Sequence, residues 1–373
     1  MKRLFFGVIM LVATVAIHAA RAYSEPYIVS QPDGTQLTLI LNGDEHRSWL
    51  TTTDGTIVVE TPLGYCVATI DDDGELSSTG LMAHQPALRD AEEQQVCLHQ
   101  QQRQGLFFQQ VRRDWHAIRK AQVTDTDYFP HSGSPKCLVI LVNFSDVAFT
   151  SETPREQFDQ YMNGEVQRNL GHNESKNMVG VRKYFEASSR GQFTPQFDVV
   201  GPVTLPETMA YYGENNEKGK DKHFYQFCTD AIAAVDDNVN FKDYDNNDDD
   251  AAELVCIVYA GYGESLSGNP SNTIWPKCSH GNYKTDDGVR VNFINCSPEL
   301  LRTNNTDING IGLFCHEFSH GLGLPDLYAT NVDAQLDNQS PEFWDLMDYG
   351  GYGGSTYTPV PYSVWEQEAM GWI

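Results

Sequence analysis

The chain has 373 residues, 40% of them hydrophobic and 20% charged, with a formal net charge of −26 at pH 7. That length leaves room for two or three domains and for a core large enough to be an enzyme, and the composition is that of an ordinary globular protein. So acidic a surface repels nucleic acid and anionic lipid and argues against both as partners.

The first residues set the compartment. Lys2 and Arg3 precede the apolar run LFFGVIMLVATVAIHAA and a small-x-small exit, Ala20-Arg21-Ala22. This is the pattern of a secretory signal peptide over 1–22, cut after Ala22. The run is short for a membrane span and contains His18, so the expected product is exported, with no stable membrane insertion. Export permits disulfides, but eight cysteines without C-x-x-C spacing make neither a disulfide scaffold nor a cysteine-type zinc site. Cys278 and Cys296 flank a hairpin-like stretch turning at Asp287-Gly288. A Cys278–Cys296 disulfide and two free thiols are both open there. Cys315, beside His316, reads as a small core residue.

From Tyr23 to about Gly80, TQLTLIL, TIVVET and YCVATI alternate with the turns PDG, TDG and DDDG, which predicts a small β-meander. A Gln- and Arg-rich helical pattern follows to about Ala121. The turn-rich connector QVTDTDYFPHSGSPK then marks a boundary between 23–125 and 126–373. Beyond it, CLVILVNFSD and AELVCIVYAG suit strands buried on both faces. Three helices are predicted: TPREQFDQYMN, capped by Thr153 with Glu156; NMVGVRKYFEASSRGQF, ended by Gly191; and KDKHFYQFCTDAIAAV. The mixture predicts an α/β (α+β) fold, a mixed twisted sheet with helices packed on it.

The chemistry lies in HEFSHGLGLPD, residues 316–326. On a helix, His316 and His320 share a face and can aim imidazole nitrogens at one metal ion, while Glu317 stands close enough to act on a water there. A catalytic zinc takes three protein ligands. Gly323 can end the helix in a left-handed conformation and Pro325 keeps it from resuming, so Asp326 is the next side chain able to coordinate. His-Glu-x-x-His alone arises by chance in roughly one chain in fifty of this length, and the added Gly and Asp cut that by more than about a hundredfold. Ile311, Phe314, Cys315, Phe318 and Leu322 give the same helix an apolar stripe for the core.

With that run the sequence resembles the metzincin zinc endopeptidases, and within them the M6, immune inhibitor A-like, family. CHEFSHGLGLPDLY, VRKYFEASSRGQF, VCIVYAGYGES, TIWP and WDLMDYGGYGG carry the resemblance over about 135–373. It implies a metzincin-like zincin with an active-site helix and a small C-terminal subdomain, and Zn2+ held by His316, His320 and Asp326. It also implies Glu317 as general base and acid, Met347 as the methionine beneath the metal, and Tyr349 as a donor to the oxyanion or merely a packed tyrosine. AELVCIVYAGYGES and TIW resemble the part of the sheet to which a peptide substrate adds as a strand.

The resemblance makes 23–125 a pro-region. Cys66, Cys97 or an aspartate could then cover the metal, and a cut after Arg119 or Lys120 would release activity. The expected protein is a secreted, monomeric endopeptidase, latent on synthesis by that logic, acting on proteins or peptides; a degenerate protease kept as a surface adhesion protein is the alternative. The run DYDNNDDDAAE invites Ca2+ at Asp245, Asn247, Asp249 and Glu253, yet Asp250 stands where a calcium loop has glycine. A solvated turn remains open. The chain stops at MGWI, where members of that family often continue into β-rich domains, which fits a fragment.

Overall fold

The apolar runs form two separate six-stranded sheets in the computed structural model, which describes residues 17–18, 21–44, 47–118, 125–165, 176–177, 179–266, 268–303, 307–328 and 340–373. Strand β1, Ile17–His18, belongs to the second sheet. The first is an antiparallel meander in sequence order: β2 Tyr27–Ser30, β3 Gln36–Gly43, β4 Ser48–Thr52, β5 Ile57–Thr61, β6 Gly64–Ile70 and β7 Leu76–Met82. Period-two alternation puts Leu37, Leu39 and Leu41 of β3 inward. Helix α1, Ala91–Ile118, packs across β6. Its buried Gln100 accepts from the Ile57 amide at 2.8 Å and donates to the Ile57 and Ala68 carbonyls at 2.7 and 2.6 Å. A buried amide is tolerated because each of these polar groups is satisfied.

The second sheet has the order β1-β11-β12-β10-β8-β9. Its strands are β8 Lys136–Asn143, β9 Gln196–Thr204, β10 Ala251–Tyr262, β11 Lys277–Lys284 and β12 Arg290–Leu300. β9, β8, β10 and β12 run parallel; β11 is antiparallel to β12 and β1 antiparallel to β11. The continuous apolar runs are explained by cover on both faces. Cys137, Val139 and Leu141 of β8 join Leu254, Cys256 and Val258 of β10 in one core, and the intervening residues join the other. The first core is closed by α2 Pro154–Asn163, α3 Val181–Ser188 and α6 Ile311–Gly321. The second is closed by α4 Met209–Tyr212 and α5 Phe224–Asp236. A last helix, α7 Val364–Ala369, carries the capping box, with Ser363 and Glu366 bonded reciprocally. Thr153 is the N-cap of α2 but makes no side-chain capping bond, so the box expected there does not form.

Two other expectations change. β11 and β12 do form the hairpin, with Gly288 at φ 82° in its turn. Within it Cys278 opposes Asn295 and Cys296 opposes Lys277. Opposed residues share a face and a one-residue offset reverses it, so Cys278 enters one core and Cys296 the other. All eight cysteines are free and buried, and a Cys278–Cys296 disulfide is excluded. Likewise, β10 lies between β12 and β8 with both edges paired, so a peptide cannot add along it. The accessible edge of the sheet on that side is β11, the strand that follows TIWP, and only the tail of the predicted segment, at Ser265 and Leu266, meets another extended stretch.

The cysteine geometry gives a direct prediction. Peptide mapping without reduction will find no Cys278–Cys296 cross-link, and Cys296→Ala will cost only about 1–2 kcal/mol, the effect of a small core cavity, and not the about 2–5 kcal/mol of a lost disulfide.

Candidate metal centre

All eleven residues of α6 are buried. The helix is wedged between the sheet and the 3-10 turn Tyr349–Tyr352. A Cβ on Gly312 would overlap the Gly351 carbonyl, so glycine lets the turn come this close. Contact through Phe314 and Phe318 with Phe197 ties the helix to the sheet.

At its C-terminal end, His316 Nδ1 is 2.7 Å from the Leu346 carbonyl and His320 Nδ1 is 2.7 Å from the Leu324 carbonyl. A carbonyl only accepts, so each Nδ1 carries the proton and each Nε2 presents its lone pair. Those two Nε2 atoms lie 3.4 and 3.3 Å from Asp326 Oδ1. Ligands at 2.0–2.1 Å on a tetrahedral ion are separated by about 3.3–3.4 Å, so the donor set fits zinc in both chemistry and spacing. Burial opposes ionisation of Asp326; only when His320 and His316 are protonated does their charge outweigh it and hold the carboxyl well below the usual range.

The expected chain reversal is present. Gly323 has φ 98°, and the amides of Gly323 and Leu324 return to the carbonyls of His320 and Ser319. Leu324 is thereby turned so that its carbonyl meets His320. Met347 is fully buried; its carbonyl accepts from the Leu327 amide at 2.9 Å, next to Asp326, while its own amide donates to Asp345. The segment 345–347 therefore supports one histidine through Leu346 and the Asp326 loop through Met347.

Glu317 is fully buried, and its ligand atom lies within 4.8 Å of those of His316 and His320. Burial first, and then the charge of Glu317, push the Cys278 thiol of β11 well up. Glu317 is thus near the histidines, on a helix that also packs against β11. Tyr349 donates its hydroxyl to the Ala22 carbonyl at 3.5 Å, and its ring stacks on Phe343. Tyr352, which the sequence reading passed over, donates to the Arg21 carbonyl at 2.8 Å and stacks on Tyr23. Asp348 was also missed; the only cue was an acid directly after Met347.

Cys66 and Cys97 are buried inside the N-terminal meander and its helix, and burial raises the Cys97 thiol, so neither supplies a thiolate to the centre. Arg119 and Lys120 lie outside the described residues. In the acidic run, Asp245 accepts from the amides of Asp249 and Asp250, and Asn247 donates to the Thr126 carbonyl. Glu253 turns into the core, where burial raises its carboxyl to about 7 despite bonds from Asn246. The run is a hydrogen-bonded turn with Glu253 drawn inward.

Residues 126–372 match the model of the immune inhibitor A peptidase M6 catalytic domain. The chain is 24% identical over 271 residues to the pre-pro-metalloprotease PrtV of Vibrio cholerae, covering 63% of this chain and 29% of that protein. It is 22% identical over 271 residues to immune inhibitor A of Bacillus thuringiensis subsp. alesti, covering 62% of this chain and 39% of that protein. The chain thus spans well under half the length of these relatives. Among the described residues no helix is long and apolar enough to cross a membrane. With two thirds of its length matched by the model, the chain belongs to the immune inhibitor A (M6) family of peptidases.

Proposed function

We propose that the chain is a secreted, zinc-dependent endopeptidase of the metzincin type, made in a latent form. The observation that carries the reading is the arrangement of His316 Nε2, His320 Nε2 and Asp326 Oδ1, 3.3–3.4 Å apart across the two histidine–aspartate pairs, with both Nδ1 atoms tied back. Zinc held there supplies Lewis acidity and lowers the pKa of a bound water to about 7. Glu317 takes the proton of the attacking water and delivers it to the leaving amine. The substrate lies along β11, bonded through its main chain, which favours an endopeptidase of broad sequence tolerance. Tyr349 donates to the carbonyl oxygen as it gains charge, once the chain segment at Ala22 has left.

Latency is supported by the first residue beyond the leader: Tyr23 N–H donates to the Ser265 carbonyl at 3.0 Å, and its ring stacks on Tyr352 in the turn packed against α6. The N-terminal sheet and α1 are the pro-region in this reading. Calcium is not part of it, since the run is held by its own hydrogen bonds, into Asp245 and Glu253 from within it and from Asn247 to Thr126.

Four outcomes are expected. Purified protein, activated by removal of the N-terminal region, will cleave casein, phenanthroline will abolish this, and Glu317→Ala will lower kcat by about 10²- to 10⁴-fold while zinc content by elemental analysis stays near one per chain. Full activity in that variant would defeat the mechanism. Tyr349→Phe will lower kcat by about 10- to 100-fold with little change in KM; unchanged kcat would leave the tyrosine a packing residue. Gly323→Ala will cost about 1–2 kcal/mol in urea unfolding and weaken zinc binding, because an L-residue is strained at that φ. After EDTA treatment, zinc alone will restore the melting temperature; a further requirement for calcium would reopen the acidic run.

A further inference from the structure

The end of the chain packs against both supports of the metal centre, through side chains that the mechanism leaves unused. The Tyr362 hydroxyl is hydrogen-bonded to that of Ser319, which lies between His316 and His320 on α6. The Val360 amide donates to the Gly350 carbonyl at 3.2 Å, and the Val360 carbonyl accepts from Tyr184 of α3 at 2.6 Å. The segment 360–366 thus ties the ligand-bearing helix to the turn that follows Met347.

Glu366 makes the least expected of these contacts. As the third residue of α7 it completes the capping box, and its Oε2 accepts from the Ser363 amide at 2.5 Å. Capping a helix that ends in solvent needs nothing further of a glutamate. Yet Glu366 is fully buried, and its Oε1 receives no N–H or hydroxyl. Its carboxyl instead shares a hydrogen bond with the carboxyl of Asp345. Asp345 is itself buried; its Oδ1 accepts from the Met347 amide at 2.9 Å and its carbonyl from the Gly350 amide at 2.8 Å. Two buried carboxyls in contact cannot both be ionised, so one proton lies between them. Burial first, and then the charge of Asp345, raise the Glu366 carboxyl to about 8, so Glu366 holds that proton at neutral pH. Among the described residues, Tyr362 of the same segment and Tyr184 of α3 are the other titratable groups that face it, and burial keeps both hydroxyls protonated.

We propose that Glu366 is a positioning residue of the metal centre: by donating a hydrogen bond to Asp345 it holds the 345–347 turn where the Leu346 carbonyl fixes His316. It acts through Asp345 and Leu346 and not by touching the metal. The inference rests on the metal-centre reading and extends the supporting shell of His316 by one further layer, to a helix at the opposite end of the domain sequence.

The test measures zinc affinity of the full chain by competition with a chelator at pH 7 and pH 9.5, for the wild type, Glu366→Gln, Glu366→Ala and Ser363→Ala. Glutamine keeps the shape of the side chain and offers Asp345 an N–H that does not titrate. Glu366→Gln should bind zinc within about threefold of wild type at pH 7, and at least about tenfold more tightly than wild type at pH 9.5, where Glu366 itself is ionised. Comparison at one pH cancels the titration of the histidines. Glu366→Ala should weaken zinc by about 10- to 100-fold at pH 7, whereas Ser363→Ala, which breaks the capping box alone, should stay within about threefold of wild type. Equal affinity of wild type and Glu366→Gln at pH 9.5, or a loss in Ser363→Ala as large as in Glu366→Ala, overturns the role. If Glu366→Ala does not fold, the comparison of wild type with Glu366→Gln decides the matter. A wild-type chain that takes up no zinc removes the metal-centre reading and this inference with it; zinc uptake that no variant alters removes this inference alone.

Discussion

Everything at the centre depends on two hydrogen bonds that orient imidazoles. A histidine can coordinate only through an unprotonated nitrogen, and rotation about its side chain would move that nitrogen by several ångströms. His316 is fixed by the Leu346 carbonyl and His320 by the Leu324 carbonyl. One carbonyl comes from the turn that follows α6 directly, and the other from a segment more than twenty residues later. Partners of this kind typically account for a 10- to 100-fold part of metal affinity. The helix alone therefore does not make the site. It needs the Gly323 reversal on one side and the turn at Asp345–Met347 on the other, and Met347 joins these two supports by bonding Leu327.

The edge strand is positioned by a different device. Lys277, at the start of β11, makes a buried ion pair with Asp221 at 2.6 Å, and its ammonium lies 4.5 Å from the Phe224 ring centre. Asp221 also accepts from the Trp275 amide. Desolvating both charges costs several kcal/mol, and such a pair seldom adds net stability. Its effect is on register: the pair pins the entry to β11, the strand that only β1 flanks on its outer side. A one-residue slip there would turn every side chain of the strand to the opposite face.

The sequence disclosed the centre more fully than its surroundings, for physical reasons. His316, His320, Glu317, Gly323 and Asp326 lie within eleven residues, and helix geometry plus one forced reversal is enough to bring them together. The continuous apolar runs likewise announced strands covered on both faces. Register and strand order are not local properties. Cys278 and Cys296 looked paired because they bracket a hairpin, yet a single-residue offset separates them into different cores. The run around β10 looked like an open edge because it resembles a substrate strand, whereas its neighbours come from residues over a hundred positions earlier and some forty later. Asp348 carried no signal beyond its place directly after Met347, since its burial comes from long-range packing.

An exposed β-edge invites pairing with any extended chain, and proteins ordinarily blunt or cover such edges. A sheet edge that is to receive an extended peptide cannot be blunted without losing that role. Covering it with the chain's own N-terminal stretch meets the liability, because β1 takes up main-chain groups of β11 that an added strand would use. The cover is tethered, so its effective concentration at the edge is far above that of a free peptide, and even weak pairwise contacts suffice to hold it. In the proposed exported protein the cut after Ala22 takes β1 away, and the same edge is then open to any extended chain that meets it.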